Sequence, residues 1–96
     1  MERRVVITGL GVVSPVGTGV EKFWNSLLEG KSGIAPITRF DAADFPVKIA
    51  GEVKDFDPAL AGDKKTIRHM DRNAQFAVAA ARMAVEDAKL DMEKEN

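Results

Sequence analysis

The chain has 96 residues, a length that allows one compact domain and no more. Its 14 Lys and Arg residues against 15 Asp and Glu residues give a formal net charge of −1, so the overall charge does not support nucleic-acid binding. Cys is absent, which excludes disulfides, thiolate metal sites and a cysteine nucleophile within these residues. The single His, His69, excludes a His-rich metal site.

The first residues carry neither a membrane-span pattern nor a secretory-signal pattern. The apolar run Val5–Ile7 is interrupted by Thr8 and Gly9, far short of the ~20 apolar residues that a transmembrane helix needs. We therefore expect no membrane association, and a reduced cytoplasmic compartment is the simplest interpretation. We also expect neither a cofactor nor a metal ion in these residues.

Residues 4–8 form a short β-branched run that a glycine follows directly. An apolar run without alternation predicts a strand buried on both faces, as in a layered α/β sheet. Residues 9–17 then turn the chain into a helix, whose capping box would pair Thr18 as N-cap with Glu21 three residues later. Gly30 is expected to end this helix with a left-handed residue.

A strand, a glycine turn and a helix also suggest a dinucleotide-binding motif, which the residues at these positions disfavour. Ser14 stands where the third glycine of that motif opens the helix, and Pro15 follows it. No acidic residue ends a second strand where the ribose would be held. We prefer the interpretation that Gly9 and Gly11 permit a tight backbone path at a crowded sheet end.

The middle of the chain has weaker signals. Residues 31–46 are loop-like because proline and glycine interrupt them, whereas residues 47–53 alternate apolar and polar side chains and predict a strand with one solvated face. Asp55 and Asp57 lie in a predicted turn, and a metal site there is disfavoured because no further acidic ligands follow at regular spacing.

Residues 64–72 carry four formal positive charges against one negative charge. If this stretch is helical, four-residue spacing stacks its cations into one ridge: Lys64, Arg68 and Arg72, with Lys65 and His69 beside them. Such a ridge is either a solvated face or a docking site for an acidic partner, which could be a protein, a phosphate or a coenzyme tail. Nucleic acid is less favoured because no aromatic residue interleaves with the charges.

Residues 71–90 predict one long helix with Asp71 as its N-cap. A stripe of small side chains follows helical spacing, and a second apolar row lies beside it: Met70, Ala74, Ala77, Ala81, Ala84 and Ala88, then Phe76, Ala80 and Met83. A helix that is apolar around so much of its circumference needs cover on more than one side. Two strands and one amphipathic helix can hardly supply that cover, which implies that the 96 residues belong to something larger.

Several collinear motifs resemble the start of the β-ketoacyl-acyl-carrier-protein synthases, with synthase II of fatty acid biosynthesis as the nearest branch. The resemblance covers essentially the whole chain, in order and without a large gap. It rests on residues 3–17, Phe23-Trp24, residues 27–34, Arg39-Phe40-Asp41, residues 50–53, Met70-Asp71-Arg72, Gln75-Phe76-Ala77, Ala80-Ala81 and residues 87–90.

The resemblance implies the N-terminal portion of a thiolase-like layered α/β fold: a strand, a capped helix, a loop and strand, and a long alanine-rich helix. Residues 1–96 would then be the N-terminal part of a ketosynthase domain and not a complete domain. Such enzymes are homodimers that condense an acyl thioester with malonyl-acyl-carrier protein and release carbon dioxide. Their nucleophilic Cys and two catalytic His residues have no counterpart here, so this segment should be inactive alone.

The resemblance also implies a docking surface for acyl-carrier protein on Lys64, Lys65, Arg68 and His69. His69 departs from the family pattern, in which a Lys is common, and a neutral imidazole weakens the positive charge at pH 7. Lys89 departs as well, because the family usually has Gly there to end the helix, and a Lys in the left-handed conformation would be strained.

Other functions remain open from the sequence. One is a stand-alone interaction module that binds an acidic protein through the same ridge. Another is a segment of a polyketide ketosynthase or of a synthase I, since these share the opening pattern. The expected partners of the leading interpretation are acyl-carrier protein, the remainder of the synthase chain and a second copy of that chain, with no nucleic acid and no membrane.

Overall fold

The computed structural model describes residues 2–94, which form two compact units. Residues 12–56 make up one unit, and residues 2–11 together with residues 57–94 make up the other. No helix in the described part of the chain is long and apolar enough to cross a membrane.

The unit of residues 12–56 begins with a tight hairpin. Strand β1 (Val13–Ser14) pairs antiparallel with β2 (Gly17–Thr18), with Val13 opposite Thr18 and Ser14 opposite Gly17. The Ser14 hydroxyl closes the turn because it donates to the Gly17 carbonyl at 2.8 Å and accepts from the Val16 N–H at 3.3 Å. A serine in this position forms hydrogen bonds with backbone groups of the turn and thereby stabilises it.

Helix α1 (Val20–Leu28) follows, and its predicted capping box is wrong. The N-cap is Gly19, with φ of 97° and no side-chain cap, because Thr18 is engaged in the hairpin one residue earlier. The end of the helix is confirmed: Gly30 has φ of 69°, and the N–H groups of Gly30 and Lys31 donate to the carbonyls of Leu27 and Ser26 at 3.1 and 3.0 Å. This is the paired hydrogen bonding of a Schellman motif, which glycine adopts without strain.

A second hairpin joins β3 (Ile34–Pro36) to β4 (Ile49–Gly51) in antiparallel register, with Ala35 opposite Ala50. The centre of the strand predicted over residues 47–53 is therefore confirmed. The prediction that residues 31–46 contain only loop is wrong, because β3 lies within them. Its three residues are too few to show an alternating pattern, and Pro36 lacks a backbone N–H and is therefore not typical of a strand.

Glu52 fixes the residues after β3 to those after β4. Its carboxylate accepts from the Thr38 hydroxyl at 2.8 Å, the Thr38 N–H at 3.2 Å, the Arg39 N–H at 3.1 Å and the Lys54 ammonium at 2.8 Å. The hydrogen bond from Lys54, followed by that from the Thr38 side chain, lowers the pKa of Glu52 from the usual 4.5 to about 2. A carboxylate with this many donors stays ionised and restrains both chain segments.

In the other unit, the strand predicted over residues 4–8 is wrong. No strand among the described residues pairs with this segment, and Val5, Val6 and Ile7 are 93, 67 and 83% exposed. The remaining elements described in this unit are helical, so the backbone of residues 4–8 has no sheet to join. Residues 4–8 have the apolar composition of a strand, but no strand among the described residues pairs with them.

The close backbone approach expected at Gly9 and Gly11 does occur, against helix α3 (Arg72–Ala88). A Cβ atom on Gly9 would collide with the Ala84 carbonyl oxygen, and one on Gly11 would collide with the Ala80 carbonyl oxygen. Between the two glycines, the Leu10 N–H donates to the Asp87 carboxylate at 2.9 Å. The alanine helix thus accepts another backbone at contact distance, which larger side chains would prevent.

Helix α3 has the predicted N-cap, since the Asp71 carboxylate accepts from the Ala74 N–H at 2.9 Å. It ends at Ala88 and not at Leu90, because Lys89 adopts the left-handed conformation with φ of 57°. No residue of the two predicted apolar rows is buried, and Ala77 and Ala81 are exposed. The residue of α3 that is buried, Ala79, lies in neither row.

Large side chains contribute little to the core of either unit. Among the described residues, the buried hydrophobic positions are Ala42, Ala61 and Ala79, and no large side chain is fully buried. Three aromatic residues are more than half exposed: Trp24 and the edge-to-face pair Phe40 and Phe45, whose ring centroids lie 5.5 Å apart. Much apolar surface therefore remains in contact with solvent.

Candidate functional site

A single helical turn, α2 (Lys64–Ile67), carries the basic residues singled out from the sequence. Asp63 caps it, because its carboxylate accepts from the Thr66 N–H at 2.8 Å. That backbone hydrogen bond is the main reason that the pKa of Asp63 is lowered. The negative charge of Asp63 also interacts favourably with the positive end of the helix dipole, so this N-cap stabilises the short turn.

Lys64, Lys65, Arg68 and His69, which we call the basic surface, are all exposed. Arg68 keeps helical dihedral angles, with φ of −59° and ψ of −26°, so the turn extends one residue beyond Ile67. Four-residue spacing then places Lys64 beside Arg68, and His69 follows directly after this turn. Within residues 2–94, no carboxylate forms an ion pair or hydrogen bond with any of these four side chains. The positive charges of Lys64, Lys65 and Arg68 are therefore available to an external partner.

The continuous ridge predicted through Arg72 is wrong. After Arg68 the chain leaves the helix through two short-range bonds, from the His69 N–H to the Thr66 carbonyl and from the Met70 N–H to the Ile67 carbonyl. Asp71 then caps the separate helix α3, so residue 72 does not continue the stacking of α2. The Arg72 guanidinium lies over the Phe76 ring, 4.9 Å from its centroid.

The unit of residues 12–56 contains a polar cleft of about 390 Å³, which the sequence did not reveal because its hydroxyls are scattered and form no motif. Two of its three lysines are neutralised, since Lys31 pairs with Glu29 at 2.9 Å and Lys54 pairs with Glu52 at 2.8 Å. The Thr18 hydroxyl in its wall is buried and has no hydrogen-bond partner among the described residues. With two of its three lysines paired and the Asp55 carboxylate also in its lining, the cleft has little of the positive charge that an anion site needs.

Asp55 and Asp57, the two aspartates of the predicted turn, belong to no metal site among the described residues. Asp57 caps a 3₁₀ helix (Pro58–Leu60), accepting from the Ala59 N–H at 3.0 Å. No group of three or more His, Asp or Glu side chains in residues 2–94 is arranged to hold a metal ion. The carboxylate of Asp57 therefore has a local structural role.

Residues 2–96 match the family model described as the N-terminal domain of beta-ketoacyl synthases, and the chain belongs to that family.

Two relatives and one solved structure make the likeness specific. The chain is 59% identical over 95 residues to 3-oxoacyl-acyl-carrier-protein synthase 2 of Coxiella burnetii, covering 99% of this chain and 23% of that protein. It is 49% identical over 89 residues to the synthase 2 of Synechocystis sp., covering 93% of this chain and 21% of that protein. The structure of the ishigamide ketosynthase/chain length factor superposes with a TM-score of 0.86 at 49% identity, covering 97% of this chain and 23% of that chain.

These matches confirm the family and the fold class predicted from the sequence: the chain has the fold of the N-terminal α/β portion of a ketosynthase. They also show that the chain spans less than a quarter of the length of the relatives named here. The role of the basic surface stays a prediction, because the likeness in sequence and backbone does not test it.

Proposed function

We propose that the chain is the N-terminal segment of a β-ketoacyl-acyl-carrier-protein synthase, not a complete ketosynthase domain. The complete enzyme would condense an acyl thioester with malonyl-acyl-carrier protein, release carbon dioxide and lengthen the acyl chain by two carbons. The observation that carries the proposal is the 59% identity over 95 residues to a synthase of this name. A stand-alone interaction module or a polyketide ketosynthase is not favoured by the fatty-acid synthases among the relatives.

The catalytic step would belong to residues outside these 96. The chain has no Cys to form an acyl-enzyme, and its one His lies exposed on the basic surface. An exposed imidazole without a neighbouring nucleophile cannot act in the covalent step. We therefore expect the segment to be inactive alone and to serve the synthase as structure and as a docking surface.

Its exposed apolar surface supports a place inside a larger assembly. The consecutive apolar side chains of Val5, Val6 and Ile7 are 93, 67 and 83% exposed, and a contiguous exposed apolar patch is typical of an interaction surface. The remainder of the synthase and a second copy of it, in a cytoplasmic homodimer, would cover residues such as Val5 and Ile7. The isolated chain should then aggregate or lack a cooperative thermal transition, as size exclusion and circular dichroism would reveal. A sharply two-state, soluble monomer would argue instead for an independent module.

The basic surface would dock the acidic helix of acyl-carrier protein. Its support is physical: three fixed cations, Lys64, Lys65 and Arg68, lie exposed on one turn without carboxylate partners among the described residues. Exposed cations of this kind orient an acidic partner and raise its association rate more than they raise the final affinity. The interaction should therefore weaken with added salt.

Charge reversal tests the docking. In the complete synthase, the double variant Lys65→Glu, Arg68→Glu should raise the apparent KM for carrier-bound substrate about tenfold, because each reversal replaces an attraction by a repulsion. The KM for a small thioester without the carrier protein should stay unchanged. Lys22→Glu, an exposed lysine of α1, is the control for a change in overall charge. Unchanged kinetics with carrier-bound substrate would refute the docking role.

A further inference from the structure

We propose that Asp63 is a positioning residue for docking, because its carboxylate holds the turn that presents Lys64, Lys65 and Arg68 to an acidic partner. The inference rests on the docking function proposed above and names the residue on which the shape of that surface depends. Asp63 carries a charge opposite to that of the basic surface, so its effects on docking through charge and through shape have opposite signs.

The turn itself has little intrinsic stability. Helix α2 has four residues, far fewer than the about 12–15 that an isolated helix needs in water. It contacts the 3₁₀ helix Pro58–Leu60, but none of its residues is buried. Its last residue, Ile67, is half-buried, whereas the first three are exposed. Burial therefore does little to stabilise the beginning of the turn.

The cations of the basic surface oppose the turn that carries them. Lys64 and Lys65 occupy its first two positions, next to the positive end of the helix dipole, which repels their ammonium groups. Lys64 and Arg68 are like charges four residues apart, an arrangement that also destabilises a helix. The side chains that would dock a partner therefore require an opposing contribution from within the chain.

Asp63 supplies that contribution at the exposed beginning of the turn. Its carboxylate accepts from the Thr66 N–H at 2.8 Å, and its φ of −75° and ψ of 168° are typical of an N-cap. Hydrogen bonds from the Thr66 N–H and hydroxyl, and from the Lys65 N–H, lower the pKa of Asp63 and keep it ionised. One side chain thus fixes the backbone and places a negative charge at the positive end of the dipole.

Charge and shape can be separated by substitution. Any neutral residue at position 63 removes a negative charge next to Lys64 and should strengthen the attraction of an acidic partner. Loss of the cap should instead lower the fraction of molecules in which the turn is formed, and the apparent affinity falls with that fraction. Asn and Ser are neutral residues that still cap, whereas Ala is neutral and does not.

The test is the affinity of the complete synthase for fluorescently labelled acyl-carrier protein at low salt. Asp63→Asn and Asp63→Ser should bind about twofold more tightly than the wild type, because they lose a negative charge and keep a cap. Asp63→Ala has the same charge as these two variants and should bind about two- to fivefold more weakly than they do. This difference should be largely lost when Lys65→Glu and Arg68→Glu are also present, because the cations to be oriented are gone.

Asp71 provides the matched control. Its carboxylate caps α3 through the Ala74 N–H at 2.9 Å, but that helix carries none of Lys64, Lys65 and Arg68. Asp71→Ala and Asp71→Asn should therefore bind acyl-carrier protein equally, although they differ in stability. An affinity ratio between the Ala and Asn variants that is as large at residue 71 as at residue 63 would make the effect one of general stability and overturn the role of Asp63.

Two further outcomes distinguish this inference from the docking proposal. If Asp63→Ala binds as tightly as Asp63→Asn, the positioning role is overturned while the docking surface stands. If Lys65→Glu, Arg68→Glu leaves the affinity of the otherwise unaltered synthase unchanged, the docking proposal itself fails, and the inference about Asp63 fails with it.

Discussion

Each of the two units is stabilised internally by a different kind of contact. In residues 12–56, polar side chains fix the backbone: Glu52 joins the segments after β3 and β4, and the Ser26 hydroxyl donates to the Val16 carbonyl at 2.7 Å. In the other unit, an extended segment lies against α3 through the backbone contacts of Gly9 and Gly11. Hydrogen bonds between side chains and backbone stabilise the first unit. In the second unit, the lack of a side chain at Gly9 and Gly11 allows two backbone segments to come into contact.

Apolar surface remains exposed in both units. The Glu52 carboxylate satisfies nearby donors within its own hairpin, yet Leu28 and Val47 in the same unit are 68 and 64% exposed. The glycine contacts hold one edge of residues 2–11 to α3 but leave Val5 and Ile7 more than four-fifths exposed. Close backbone approach thus positions the segment without burying its large side chains.

The largest expected effect comes from placing a methyl group in the glycine contact. Gly11→Ala should lower the free energy of unfolding by about 2–3 kcal/mol, because the new Cβ would overlap the Ala80 carbonyl oxygen and neither backbone can move away cheaply. Urea titration of the complete synthase would measure the change. Glu86→Ala, at an exposed position of α3, is the control and should stay within about 0.5 kcal/mol. Equal stabilities of the two variants would contradict the close approach.

The second effect tests the polar organisation of residues 12–56. Hydrogen bonds lower the pKa of Glu52 from 4.5 to about 2, so its ionised form stabilises the folded state above pH 4.5, and this contribution is lost as the pH falls towards 2. Glu52→Gln should be less stable at neutral pH and should lose less stability over that acidic interval. Thermal unfolding between pH 5 and pH 2 provides the measurement.

Glu29→Gln is the matched control for this acid-dependent loss. The Glu29 carboxylate pairs with Lys31 at 2.9 Å, but both side chains are more than half exposed. Such a pair contributes little because solvent screens it. If Glu29→Gln and Glu52→Gln change the pH profile equally, the hydrogen bonds around Glu52 do not organise the hairpin.

Local signals in the sequence predicted several helix ends correctly. Gly30 and Asp71 act through their own backbone conformation or side chain, so their roles can be inferred without knowing the rest of the fold. The predicted cap at Thr18 failed because a two-residue hairpin occupies that residue, a competition that the capping-box spacing does not reveal. The strand predicted over residues 4–8 failed because pairing requires a neighbour that composition alone cannot supply.

The basic surface could be predicted only in part for a similar reason. Four-residue spacing associates Lys64 with Arg68, because α2 and its first following residue are helical, whereas His69 lies beyond that turn. The same spacing wrongly included Arg72, since the Asp71 cap begins a new helix. The cation pattern identified the candidate surface, whereas its boundary depends on where a helix is interrupted.

A smaller effect is expected from the helix cap in the second unit. Asp71→Ala should lower the free energy of unfolding by about 1 kcal/mol, because the Ala74 N–H loses its acceptor. Asp71→Asn keeps a side-chain oxygen and should lose only a few tenths of that. Urea titration of the wild type and both variants measures the two steps. A larger loss than that of Gly11→Ala would mean that polar capping, not backbone approach, dominates this unit.

The smallest expected effect is a gain at the other end of the same helix. Lys89 has φ of 57°, and its N–H and that of Leu90 donate to the Glu86 and Val85 carbonyls at 3.1 and 3.2 Å. Lys89→Gly should relieve left-handed strain of about 1 kcal/mol, offset in part by the greater entropy of glycine in the unfolded chain, for a net gain of about 0.5 kcal/mol. Lys89→Ala removes the long side chain but keeps the Cβ atom, so it should give no gain when compared by urea titration. If the alanine variant is stabilised as much as the glycine variant, the lysine side chain and not the backbone conformation is the source of the strain.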